Sequence, residues 1–237
     1  PTSGNIEIFG KRIEKDREAI LEQVGAIIER PDLYPYLSAR EHLELFAKVR
    51  KQKIGEADIN ATLEKVGLAH RAKDKVQTFS LGMKQRLGIG IALVHNPSLI
   101  ILDEPTNGLD PQGIADIRQL IQYLAKEEGK TVLVSSHLLS EIEQVANQIL
   151  IIHQGKKMVE GVTKELLDPE KRIVQIKTTD DANALKVITG GSFSNYLLPR
   201  GEGIYLKIPT REIPLLNESL VKAEVALLGI ETKNSLE

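Results

Sequence analysis

The run Leu99-Ile100-Ile101-Leu102, followed at once by Asp103-Glu104-Pro105, constrains this chain more than any other feature. Four consecutive large apolar residues without polar alternation read as a strand buried on both faces, and such strands belong to parallel sheets covered by helices. The strand delivers two adjacent carboxylates at its C-terminal end, the edge at which open α/β sheets bind their ligands. The surrounding pattern alternates in the same sense: a helix over 80–94, this strand, a helix over 111–128, a strand over 131–134, a helix over 138–145 and a strand over 148–152. It predicts a mainly parallel sheet flanked by helices.

Upstream, residues 5–9 alternate apolar and polar and close at Gly10, the pattern of one arm of an antiparallel layer. Residues 23–28 form a second strand. The stretch 30–38, with Pro31, Tyr34, Pro35 and Tyr36, reads as a loop, and loops of this kind carry function more often than the elements they join. Ser38 opens a helix with Glu41 completing a capping box, and a further short helix covers 56–66. A hairpin turns at Gln154-Gly155. Beyond Asp168-Pro169 the pattern changes to amphipathic strands over 173–177 and 203–208, a helix over 214–228 and a short strand near Ile230. The expected organisation is a core over 1–168, with a helical subdomain over about 38–96, and a small α+β extension over 169–237.

Composition narrows the chemistry. The 237 residues contain no cysteine, which removes thiolate metal sites, disulfides and a cysteine nucleophile. The 31 Lys and Arg nearly balance the 33 Asp and Glu, so no global field favours nucleic acid or anionic lipid. No apolar run approaches the roughly 20 residues of a membrane span.

Asp103 can hold Mg²⁺ directly or through water, and Glu104 can orient or deprotonate a water for in-line attack on a γ-phosphate. Taken singly, the pair also fits a buried strand ending in an acidic turn. Ser80-Leu81-Gly82-Met83 places a serine cap and an unhindered glycine at a helix start, where free amides make an anion site; taken singly, it fits an ordinary N-cap. Asn107-Gly108-Leu109-Asp110 follows the carboxylates, and His137 ends the next buried strand, where an imidazole can donate to a phosphate or simply be satisfied at the strand end. Gly129-Lys130-Thr131 has the letters of a phosphate loop, but it closes a helix and opens a strand, which is backwards for a phosphate cradle.

Together these segments resemble the ATP-binding subunits of ABC transporters. Residues 79–83 resemble the signature motif, 99–104 the Walker B strand with its catalytic glutamate, 108–110 the D-loop, and His137 the switch histidine. The likeness covers most of residues 1–165 and implies a P-loop-NTPase-like ABC ATPase core. It implies that Glu104 and His137 are catalytic, that Ser80, Gly82, Met83 and Asp110 serve nucleotide binding, and that Asp103 and Glu29 hold Mg²⁺. Glu29 stands where the family usually carries a glutamine. By the same resemblance the ligands are ATP and Mg²⁺, and the partners are a second nucleotide-binding subunit and a membrane-embedded permease facing residues 30–37, with no nucleic acid expected. The location would be peripheral, on the cytoplasmic face of the membrane. Leu81 in place of the first signature glycine, and Ile28-Glu29-Arg30-Pro31, are similar to the bacitracin- and lantibiotic-type exporter group, which implies export of a peptide antibiotic or similar compound.

The sequence contains no Gly-x-x-x-x-Gly-Lys-Ser/Thr run. In the family that Walker A loop lies just upstream of the segment resembled by Pro1-Thr2-Ser3-Gly4, so an N-terminal truncation is expected, with an inactive and weakly stable chain and an incomplete C-terminal extension. Two other readings stand beside this one: a non-transport ABC-type ATPase, and a non-catalytic regulatory or assembly subunit.

Overall fold

The computed structural model describes residues 2–49, 53–168, 173–199 and 203–233. The chain forms two compact units, Pro1–Val145 and Ala146–Glu237.

The first unit opens with an antiparallel hairpin, β1 (Glu7–Ile8) and β2 (Lys11–Arg12), turned at Phe9 and Gly10 in the left-handed region. Helix α1 (Ile13–Leu21), kinked at Asp16, leads into β3 (Val24–Ile27). β3, β4 (Leu99–Asp103) and β5 (Thr131–Ser135) make a parallel sheet with β4 in the middle. The helices of this unit are α2 (Ala39–Lys48), α3 (Glu56–Lys65), α4 (Leu81–Leu93), α5 (Pro111–Lys126) and α6 (Leu139–Val145). Ile100 and Leu102 of β4, Leu43, Leu63, Leu87 and Ile89 of the helices, and Ile117 and Leu124 of α5 are fully buried in one cluster. The expected parallel sheet with helices is therefore the observed core. Helix α1 was not legible in the sequence: it has no side-chain cap and a charged face, and only Ile20 is buried.

Close backbone approach sets the spacing of the layers. A Cβ built on Gly25 of β3 would collide with the Ala92 carbonyl oxygen of α4, so that strand and helix meet at a separation only glycine permits. A Cβ on Gly88 would lie 2.7 Å from Pro31, so the loop after β3 rests directly on α4. On the other side of the sheet, no strand pairs with the outer edge of β5 among the described residues, and Leu133 there is 58% exposed.

The second unit begins with the hairpin β6 (Gln148–His153) and β7 (Lys156–Val162), turned at Gln154-Gly155 as the sequence indicated. The short helix α7 (Thr163–Leu166) follows. Then come β8 (Ile173–Thr178), α8 (Asp181–Gly190), β9 (Leu197–Leu198), β10 (Ile204–Lys207), α9 (Ile213–Lys222) and β11 (Leu227–Lys233). The sheet order β11-β8-β10-β9, antiparallel throughout, is the split β-α-β-β-α-β arrangement called ferredoxin-like. Its own core contains Val174, Ile176, Ile188, Leu206, Leu216 and Leu220.

Two sequence expectations shift here. The helix expected over 214–228 ends at Lys222, since Glu224 adopts a positive φ of 57° and turns the chain into β11. Helix α8 was not among the expected elements, since the β-branched Val187, Ile188 and Thr189 weaken its helical signal; Ala184 and Ile188, four residues apart, bury its inner stripe.

Gly25→Ala is expected to cost about 3 kcal/mol of unfolding free energy, because the new methyl meets backbone that cannot rotate away. Gly190→Ala, whose Cβ meets nothing within 4 Å, is expected to change stability by less than about 1 kcal/mol. Urea unfolding of the two variants checks both.

Candidate functional site

Parallel register brings the site together. Asp103, the last residue of β4, lies opposite Ser135, the last residue of β5. The Ser135 hydroxyl donates to Asp103 Oδ1 and accepts the backbone N–H of Glu104 at 3.0 Å. One hydroxyl therefore orients the first carboxylate and anchors the backbone of the second. Glu104 sits at φ +46°, a left-handed conformation that costs a non-glycine residue about 1–2 kcal/mol and persists where neighbouring bonds hold it. Those bonds are the one to Ser135 and the 2.9 Å contact between Glu104 Oε2 and His137 Nδ1. The Glu104 side chain is 27% exposed and that of His137 64%, so the pair opens onto solvent. An exposed pair contributes little stability. What it supplies is orientation of the carboxylate.

The turn beyond is tied down as well. The Thr106 hydroxyl donates to Glu141 of α6, the Asn107 N–H to the Glu104 carbonyl at 3.1 Å, and Gly108 takes φ +76°. Asp110 then caps α5, its Oδ1 accepting the Gly113 N–H at 2.9 Å. Ser80 caps α4 in the same manner, accepting the Met83 N–H at 3.3 Å. These two helix starts are neighbours: a Cβ on Gly108 would touch Leu81 Cδ2 at 3.5 Å, and one on Gly82 would lie 4.0 Å from the Gly113 Cα.

The residues singled out from the sequence thus fall into two groups. Asp103, Glu104 and His137 gather at the sheet edge, and Ser80, Gly82, Met83 and Asp110 gather at two adjacent helix N-termini. Glu29 reaches the sheet edge by register, since Ile27 pairs with Leu102, and it also has a positive φ of 55°. No group of three or more acidic or histidine side chains that could hold a metal forms among the described residues. Mg²⁺ is commonly held by only one or two carboxylates, the rest of its shell being water and phosphate oxygen, and the donor set of Asp103 and Glu29 at one sheet edge fits that habit. Gly129-Lys130-Thr131 lies where α5 gives way to β5, with Lys130 bonded to Asn96, as its reversed order required.

Sequence reasoning missed Ser135, Thr106 and Glu141. The one available signal was the pair of hydroxyl residues, Ser135-Ser136, directly before His137.

Residues 1–107 match the family model described as ABC transporter. The chain is 48% identical over 189 residues to the bacitracin transport ATP-binding protein BcrA of Bacillus licheniformis, a match covering 78% of this chain and 60% of that protein. It is 41% identical over 231 residues to the ABC transporter ATP-binding protein YdbJ of Bacillus subtilis, covering 96% and 73%. The lantibiotic transport ATP-binding protein SrtF of Streptococcus pyogenes is 47% identical over 159 residues, covering 67% of each. Among solved structures, cbiO1 from Clostridium perfringens, part of the ABC transporter complex cbiONQ, superposes with a TM-score of 0.61 at 29% identity over 70% of this chain and 68% of that one. A dimeric post-hydrolysis ATP-binding cassette bound to ADP and Pi gives 0.60 at 26% identity, over 69% and 75%. The chain belongs to the family of ABC transporter ATP-binding proteins. Within that family, the relatives with known cargo that it resembles include the bacitracin and lantibiotic transport proteins.

Ser135→Ala removes both hydroxyl bonds and is expected to cost about 1–2 kcal/mol of stability, with a change in the Glu104 amide ¹⁵N shift. Ser135→Thr keeps the hydroxyl and should restore most of both. Chemical unfolding and a ¹⁵N–¹H spectrum read the two effects separately.

Proposed function

We propose that this chain is the ATP-hydrolysing subunit of an ABC exporter and that it drives a membrane-embedded permease, with a peptide antibiotic or similar compound as cargo. One observation carries the catalytic part of the reading: Glu104 is held in a left-handed turn beside Asp103, its backbone fixed by Ser135 and its carboxylate by His137. The names of the relatives support the exporter part.

In this reading Glu104 orients the attacking water and draws its proton. Asp103 and Glu29 would hold Mg²⁺, which when bound neutralises phosphate charge. The Ser135 hydroxyl occupies one oxygen of Asp103, leaving the other carboxylate oxygen for that task. His137 has a specific constraint. With Nδ1 donating to Glu104, a neutral ring presents only a lone pair at Nε2, so donation from Nε2 to a phosphate requires either the imidazolium or release of Glu104. Ser80, Gly82 and Met83 present the α4 N-terminus to nucleotide held by a second nucleotide-binding subunit. Asp110 acts by capping α5 and so fixing the turn that precedes it.

No helix among the described residues is long and apolar enough to cross a membrane. Attachment to the permease would place the chain on the cytoplasmic face, with residues 30–37 toward it. A second reading, a non-catalytic partner in the assembly, is separated from the first by ATP turnover.

The deciding experiment is ATP turnover by this chain alone and by the chain joined to an upstream segment carrying a phosphate-binding loop. The proposal expects turnover only in the second case, with Glu104→Gln lowering kcat by about 10²–10⁴-fold while nucleotide still binds. Unchanged turnover in Glu104→Gln would remove Glu104 from the chemistry. An extended chain that binds a permease but no ATP would favour the non-catalytic partner.

A further inference from the structure

The loop 30–38 leaves β3 just past Glu29 and enters α2, and it carries Tyr34 and Tyr36, 45% and 63% exposed. Its backbone is fixed from beneath by a side chain that no motif singled out. His42 of α2 is fully buried, with Nδ1 2.8 Å from the Ser38 carbonyl oxygen and Nε2 2.9 Å from the Tyr34 backbone nitrogen. A carbonyl oxygen can only accept and a backbone N–H can only donate. The ring must therefore carry its proton on Nδ1 and keep Nε2 bare, and the two partners together select one neutral tautomer. The imidazole also stacks on Tyr34, centroids 6.0 Å apart with 29° between planes.

The rest of the loop is bonded to the chain before α4. The Val76 N–H donates to the Leu37 carbonyl at 2.9 Å and the Gln77 N–H to that of Pro35 at 3.0 Å. The Tyr34 end is held through His42 and through its own carbonyl, which accepts the Leu37 N–H at 3.1 Å.

We infer that His42 is the positioning residue of this loop: its neutral Nδ1–H imidazole clasps the Tyr34 end onto α2, and protonation opens the clasp by turning Nε2 into a donor that faces another donor. The charged groups around it are few. On α2, Glu41 accepts the Ser38 N–H and pairs with Lys75 at 3.1 Å, and Arg40 is engaged with Asn60 of α3. From the segment before α4 comes Lys75; from the loop come Tyr34, stacked on the ring, and Tyr36 beside it. Glu41, lowered to about 2 by its bond to the Ser38 backbone, stays ionised wherever an imidazole titrates, so it attracts a proton to His42 without changing across that range. Burial outweighs this attraction and holds His42 below its ordinary value of 6.5. The folded state then binds fewer protons than the unfolded one. The stability from the neutral clasp is complete above the unfolded value and is lost as pH falls below it.

That the loop so held is the one facing a permease rests on the proposed function, and the test keeps the two apart. On the ¹⁵N-labelled chain, ring nitrogen shifts at pH 7.5 are expected to report the Nδ1–H tautomer for His42. The Tyr34 amide is expected to exchange with solvent at least tenfold faster at pH 5 than at pH 7.5, after correction for intrinsic rates, while the amides in the middle of α2 keep their protection. His42→Leu should show the same loss at pH 7.5, and His42→Gln, which retains an acceptor, should recover part of it. An Nε2–H tautomer, or Tyr34 protection that is indifferent to pH, overturns the clasp, and these wild-type measurements decide the matter even if the Leu variant does not fold. In the assembled transporter, His42→Leu should lower transport per ATP hydrolysed. If transport per ATP is unchanged while the Tyr34 amide is released as expected, the clasp stands and the permease-facing assignment of the loop falls.

Discussion

Parallel pairing of β4 between β3 and β5 is the interaction on which the candidate site depends. The ladder sets Asp103 against Ser135 and carries Glu29 to the same edge two residues beyond Ile27. A slip of one residue would send each of these side chains to the opposite face of the sheet. Burial guards against it, because Ile100 and Leu102 are fully enclosed and moving either to the other face would disrupt the core. The geometry of the candidate site is thus a by-product of the same apolar packing that makes the strand.

Around this ladder, strain and satisfaction are balanced locally. Three backbone positions at or near the sheet edge, Glu29, Glu104 and Gly108, lie in the left-handed region. Only one is glycine. Side-chain bonds compensate at Glu104, where Ser135 holds the main chain and His137 the carboxylate, so the strained residue is also the best oriented one. The helix starts at Ser80 and Asp110 follow a different economy. Each cap satisfies one amide of its own helix, that of Met83 in α4 and that of Gly113 in α5.

The loop 30–38 joins these parts. Pro31 rests on Gly88 of α4, the helix that Ser80 caps, and Tyr34 is clasped by His42 of α2. A displacement of the loop would therefore be felt at β3 and at both helices. The ferredoxin-like half of the second unit has a core of its own.

Patterning alone carried a large part of this molecule. The buried run before Asp103, the capping box at Ser38, the cap at Ser80 and the turn at Gln154-Gly155 are local signals, decided by residues within a few positions of one another, and the structure has them where the sequence put them. Elements whose stability comes from elsewhere were not legible. Helix α1 lacks a side-chain cap, the last turn of α8 carries three β-branched residues, and α9 is ended by one backbone torsion at Glu224. The same division runs through the site. The order of its motifs can be read along the chain, but the double role of Ser135, the pairing of His137 with Glu104 and the tautomer of His42 exist only where strands and helices distant in sequence are brought within about 3 Å, because a hydrogen bond has no reach beyond that distance.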